Sequence, residues 1–199
     1  MNLESFGGAG AELRTPLELL TAETTEKWRH LSGNLEELDK PLFVTQESRH
    51  ELPPVSDATL GEMKQKDYPD SVIEAIGSDA EANLYLEANL EPGQVSGKDA
   101  LLRTDIDYDQ QDLFGSTNLQ RMEKGLAPLD QHGQPIELHH IGQRQDSPLA
   151  ELTRGEHRGE GNDNVLHNKL KESEIDRDDF GKERRDHWKA RAEQIKSQA

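Results

Sequence analysis

Residues 136–143, Ile-Glu-Leu-His-His-Ile-Gly-Gln, alternate apolar and polar up to Leu138 and then set two histidines side by side, His139 and His140. Alternation of this kind predicts a short strand, on which neighbouring side chains leave opposite faces. The two rings therefore meet different surroundings. A division of labour follows, with one ring holding a metal and its neighbour serving as a base. A bare pair is as well served by one packed ring and one solvated ring, so the weight falls on the company the pair keeps. Six of the eight histidines lie in the later part of the chain: His132, His139, His140, His157, His167 and His187. The chain has no cysteine. A metal would then be held by imidazole with carboxylate or amide oxygen, which suits Zn, Ni, Mn or Mg and excludes an iron–sulfur cluster.

Upstream of the pair, Ser116 or Thr117 caps a helix whose Leu119, Met122 and Leu126 share a face, and Gly125–Pro128 ends it. A turn at 131–134 leads into the strand. Downstream, residues 147–153 (SPLAELT) form a second extended segment, and a helix runs from Arg154 to about Leu170, interrupted by Gly159 and Gly161. Strand, loop, strand and helix over about 135–170 make a ββα module with imidazoles at both ends, which needs neighbouring helices to bury its apolar face. A last helix from Lys182 to about Ser197 places Trp188, Ala192 and Ile195 on one side. Before the module, helices are expected at 71–77 and 79–90, the second stopped by Pro92-Gly93. Residues 1–65 mix Gly-rich, Pro-rich and charged stretches, with one helix at Thr21–Leu31 and one strand at Pro41–Thr45. The expected fold class is α+β: a mainly helical chain around a small ββα core, with 1–68 a partly disordered leader and 69–199 the folded domain.

Apolar residues make up 32% of the 199, against the ~45–50% usual for globular chains. That suffices for one modest core. No run approaches the ~18 apolar residues of a membrane span, and no secretory signal is expected at the N-terminus. The net charge is -17, of which -16 falls on residues 1–150 and -1 on residues 151–199. Overall acidity argues against nucleic-acid binding, but that argument lapses for the nearly neutral part that carries the histidines.

The segment 137–167, ELHHIGQRQDSPLAELTRGEHRGEGNDNVLH, resembles the His-Me finger (HNH, endonuclease VII-like) nucleases of the Leu-His-His type found at the C-termini of bacterial polymorphic toxins. The approach TNLQRMEKGLAPLDQHGQPIELHH and the trailing KESEIDRDDFGKERRDHWKARAEQI resemble the same group, so the likeness covers roughly residues 69–195. It implies a single divalent cation (Mg, Mn, Ni or Zn) with His139 as ligand, His140 as general base and His157 as a ligand at the start of the helix. His167 is the candidate for the third ligand. Related nuclease colicins place that histidine one helical turn on, whereas here it follows ten residues later, so Asn164 and Glu151 stand as alternatives. Gln143 and the Asp146-Ser147 loop are candidates to orient the base.

The implied activity is metal-dependent endonucleolytic hydrolysis of DNA without strong sequence preference, with RNA a possible substrate. The implied setting is an antibacterial effector made in the bacterial cytoplasm and secreted or injected into the cytoplasm of a target cell. Its partners would be a delivery module or secretion apparatus and a cognate immunity protein, with residues 1–68 serving as linker or pretoxin region. A neutral imidazole near its ordinary pKa of ~6.5 suits the base. Arg144, Arg154, Arg158, Lys169 and Lys171 flank the centre as candidate phosphate contacts. Arg184, Arg185 and Arg191 are expected to pair within their helix, with Glu183 and Asp186. Trp188 is expected in the core, with His187 structural and His132 solvated. The alternative is a non-catalytic, metal-stabilised module that binds nucleic acid or protein. Such a module needs ligands but no base beside them.

Overall fold

Residues 49–198 are described by the computed structural model. The helix expected at Thr21–Leu31, the strand expected at Pro41–Thr45 and most of the expected leader lie outside them. From Ser56 onward the chain is α1 (Asp57–Gln65), α2 (Asp70–Ala75), α3 (Asp79–Glu87), β1 (Glu91–Val95), β2 (Lys98–Leu102) and α4 (Asn118–Glu123). There follow β3 (Glu137–His140), β4 (Leu149–Leu152), α5 (Arg154–Arg158), α6 (Asn162–Leu166) and α7 (Arg177–Gln198). The α+β class with a ββα hairpin–helix core is the observed architecture.

The sheet has the order β1-β2-β4-β3, antiparallel except for the parallel β2–β4 pair, so β3 is an edge strand. Period-two alternation divides its side chains between two cores. Leu101, Ala150 and Leu152 join Met63, Tyr68, Val72, Tyr85, Leu90 and Leu166 on the face covered by α1–α3 and α6. Ala100, Leu138 and Leu149 join Met122, Trp188 and Ala192 on the face covered by α4 and α7. Trp188 and Ala192 are buried as the sequence predicts.

Four expectations change. The β1–β2 hairpin stands where Pro92-Gly93 was expected only to stop a helix. Pro92 is tolerated because β1 is an outer strand, where a missing N–H costs little. Residues 57–68, assigned to the leader on composition, supply Met63 and Tyr68 to the core. The single helix from Arg154 breaks into α5 and α6. Finally, α7 starts at Arg177, a turn and more before Lys182.

Three local devices fix the module. Thr153 Oγ1 accepts from Glu156 N (3.2 Å) while Glu156 Oε2 accepts from Thr153 N (2.7 Å), a capping box that starts α5 three residues before His157. The fully buried Asn118 amide donates to the carbonyls of Asp107 (2.9 Å) and Leu129 (2.8 Å) and accepts from Leu129 N (2.7 Å), pinning the run into β3. Gly142, at φ 70°, lies so close to helix α2 that a Cβ there would strike the Ala75 carbonyl oxygen. Its N–H donates to Glu81 Oε1 (3.2 Å), which also accepts from Tyr85 Oη (3.1 Å). The turn that follows the histidine pair is thereby clamped to α3.

Candidate metal centre and nucleic-acid cleft

Register decides where the two histidines go. His139 pairs with Ala150 and His140 with Leu149, so the rings leave opposite faces of β3. His139 turns toward α5 and α6, and His140 toward α7. Because β3 is an edge strand, both rings still line one cleft of about 420 Å³, together with His157, His167 and Arg158.

On the first face three imidazoles converge. His157 Nε2 lies 3.2 Å from His139 Nδ1 and 3.2 Å from His167 Nε2, and one ligand atom from each ring can be chosen so that all lie within 4.8 Å of one another. The outer nitrogens set the tautomers. His157 Nδ1 donates to Glu137 Oε2 (2.6 Å), and His167 Nδ1 lies 3.1 Å from the Asp163 carbonyl and 3.0 Å from its Oδ1. Each of these two rings then keeps its proton at Nδ1 and turns a bare lone pair inward. Facing lone pairs repel unless a cation sits between them. Burial, ahead of repulsion from the neighbouring rings, holds His139 well below the ordinary histidine range, and burial also lowers His157 despite the Glu137 carboxylate. Both shifts favour the neutral, ligating form of His139 and His157. The 3.2 Å spacing is close to the ~3.3 Å edge of a tetrahedron whose metal–nitrogen bonds are ~2.0–2.1 Å. The donor set fits a divalent ion.

On the second face His140 is buried against Phe180, ring centroids 4.5 Å apart. Its Nε2 is 2.9 Å from Glu183 Oε2, near enough for an ion pair but out of line for a hydrogen bond. Lys98 Nζ donates to the other Glu183 oxygen (2.6 Å). Burial raises the Glu183 carboxyl, but His140 and Lys98 outweigh it and bring it down to about 2.

The remaining sequence candidates separate. Gln143 lines the cleft, and its Oε1 accepts from Asn168 N (2.7 Å), tying down the turn after His167. Asn164 lies in α6 and is not among the lining residues. Glu151 is far from ligand duty, because it faces α7. Its carboxylate accepts from His187 Nε2 (2.8 Å), Arg191 Nε (2.9 Å) and Arg103 N (2.9 Å). Ser147 closes its own loop by donating from Oγ to the Arg144 carbonyl (2.7 Å). Arg158 lines the cleft and donates to Glu137 (2.7 Å). Arg144, Arg154 and Lys169 are exposed but do not line it, and Lys169 pairs with Asp163.

Sequence reasoning missed Glu137, the carboxylate behind His157. Its position two before His139 puts both on the same side of the strand, a signal present in the alternation. It also missed Phe180, Arg177 and Arg184 as walls of the site and Glu183 as the carboxylate beside His140. The pairing expected within α7 is absent. Arg191 goes to Glu151 and Glu183 to Lys98, while no carboxylate pairs with Arg184 or Arg185 among the described residues.

No helix among the described residues is long and apolar enough to cross a membrane. No solved structure matches the chain. Residues 117–194 match a family model described as LHH, a nuclease of the HNH/ENDO VII superfamily with conserved LHH, and Leu138-His139-His140 supplies that motif at the end of β3. The part of the chain from residue 117 to residue 194 is an LHH domain, a nuclease of the HNH/ENDO VII superfamily.

Proposed function

We propose that this chain is a divalent-metal-dependent endonuclease that hydrolyses DNA without strong sequence preference and is the toxic part of an antibacterial effector. The observation that carries the reading is the meeting, in one arginine-walled cleft, of three convergent imidazoles with a fourth histidine from the neighbouring strand position. His139, His157 and His167 would hold the ion. When bound, it supplies charge relief for the scissile phosphate and the departing 3′ oxygen.

The protein's own groups account for the rest. The Glu183 carboxylate, 2.9 Å from His140 Nε2, favours the proton at that nitrogen, so Nδ1, which makes no hydrogen bond among the described residues, is left to take a proton from a water. Phe180 covers the ring and limits its rotation. Arg158, Arg177 and Arg184 meet the phosphates. Gln143 holds the turn that carries His167. A module that only bound metal or nucleic acid would have no use for His140 in this position, and that favours catalysis over the binding alternative.

The toxin setting follows from the resemblance rather than the geometry. In it, the chain is made in the bacterial cytoplasm, carried by a delivery module or secretion apparatus, and acts in the target cell's cytoplasm, with an immunity protein guarding the producer. Residues 1–68 would be the linker or pretoxin part.

The test is degradation of plasmid, single-stranded DNA and RNA across Mg, Mn, Ni and Zn, with His140→Ala alongside. Metal-dependent loss of plasmid by the parent and not by the variant is expected. Plasmid left intact under all four metals would sink the reading. Expression in a bacterial cytoplasm should arrest growth, and His140→Ala should restore it.

A further inference from the structure

The catalytic cleft does not end at the histidines. A second cavity of about 480 Å³ shares Leu138, His157, Arg158, Phe180 and Arg184 with it. From this shared wall the second cavity runs past the open edge of β3 to the turn at Gly125-Leu126-Ala127 and to Arg185. The two adjoin along that wall, and together they are termed the groove. Its far wall is held rigidly. Gly125 sits at φ 76°, and a Cβ there would lie 3.0 Å from the Arg185 carbonyl oxygen, so the turn presses directly on α7.

Charge along this groove runs against the rest of the molecule. In a chain of net charge -17, it gathers Arg158, Arg177, Arg184 and Arg185 against two carboxylates, Glu137 and Asp163. No carboxylate pairs with Arg177, Arg184 or Arg185 among the described residues, and Arg184 instead lies over the Phe180 ring, 5.1 Å from its centroid. Unpaired guanidinium forks suit phosphate oxygens. Leu126, half exposed, adds an apolar surface at the far end.

We propose that this groove is a subsite for one polynucleotide strand running on from the scissile phosphate, with Arg184 and Arg185 on its phosphates and Leu126 against a sugar or base. The proposal rests on the nuclease reading above. Cavities of this volume take a group of small-molecule size, so each is matched to about one nucleotide of a single strand. The groove therefore selects an unpaired strand, as a positively charged channel that tracks a single backbone does.

The experiment is fluorescence anisotropy with the full chain carrying His140→Ala, using a labelled single-stranded oligonucleotide and its duplex over a range of salt. Single-strand binding should be the tighter. Arg185→Ala should weaken it and reduce the slope of log K against log salt by about 0.7, the value for one lost single-strand phosphate contact. Leu126→Ser should weaken it without changing the slope, and duplex binding should respond less to either. Melting temperatures report that the variants fold.

If the parent chain cleaves but neither substitution alters single-strand binding, the subsite is wrong and the nuclease stands. If Arg185 governs binding in a chain that never cleaves, the groove stands and the nuclease falls. A chain that binds no single strand overturns the subsite outright.

Discussion

Two carboxylate–histidine clusters sit back to back on the same hairpin, and they differ in how their charges close. On the α7 face, Glu151 is enclosed and its oxygens are filled by His187, Arg191 and the Arg103 amide. Burial would raise this carboxyl, yet the His187 contact and the Arg191 charge outweigh it and hold it below its ordinary range. On the other face, Glu137 is satisfied by His157 and Arg158, but beyond it the Nε2 lone pairs of His157 and His167 face each other. The first cluster is complete within the chain. The second converges three imidazole nitrogens on a position that suits a cation. Histidine content alone does not separate a structural network from a site, whereas the balance of donors and acceptors does.

The largest effect should come from the catalytic side. His140→Ala is expected to reduce turnover by about 10²–10⁴, measured as single-turnover plasmid cleavage, while metal binding persists. Unchanged turnover would break the contrast, because the fourth histidine would then be structural like His187. On the closed side, Glu151→Ala leaves Arg191 buried without its partner. It should cost about 3–5 kcal/mol in urea unfolding, with no change in metal affinity of the folded protein.

Metal itself sharpens the comparison. An ion at about 100 times its Kd should stabilise the parent by about 2.7 kcal/mol, read as a rise in melting temperature that His157→Ala abolishes and His187→Ala keeps. Behind the ligand, Glu137→Gln should weaken metal affinity by about 10–100-fold, measured by calorimetry, with cleavage recovered at higher metal.

The smallest effect concerns pH. Glu183 has a folded pKa of about 2 against an ordinary 4.5, so it stabilises the fold fully above about 4.5, and that contribution fades as pH falls toward 2. Glu183→Gln should therefore flatten the loss of melting temperature between those limits. Equal acid sensitivity in both proteins would show that the Lys98 and His140 contacts contribute nothing to stability.

Much of this was legible beforehand. Alternation through Leu138, the Ser116 or Thr117 cap and the apolar face of Trp188 and Ala192 each report local physics, and the elements stand where those signals put them. The misreadings share a cause. Pro92 argues against a strand only until β1 is known to be outermost. Glu151 looked available as a ligand because the face it occupies depends on its pairing with Leu138. Arg184 and Arg185 were expected to pair along their helix. Lys98, distant in sequence, instead claims Glu183.

The sequence by itself determined that a strand would end in two histidines facing opposite ways, followed by a capped helix with a third, because strand period and capping are properties of a few adjacent residues. Only the tertiary structure decided that His167 turns back onto His157, that Glu137 backs the cluster, and that the unpaired arginines of α7 wall the cleft. Those outcomes depend on which strand lies at the sheet edge and on where α7 is laid across it. Both are set by burial summed over the whole chain, and no local segment encodes them.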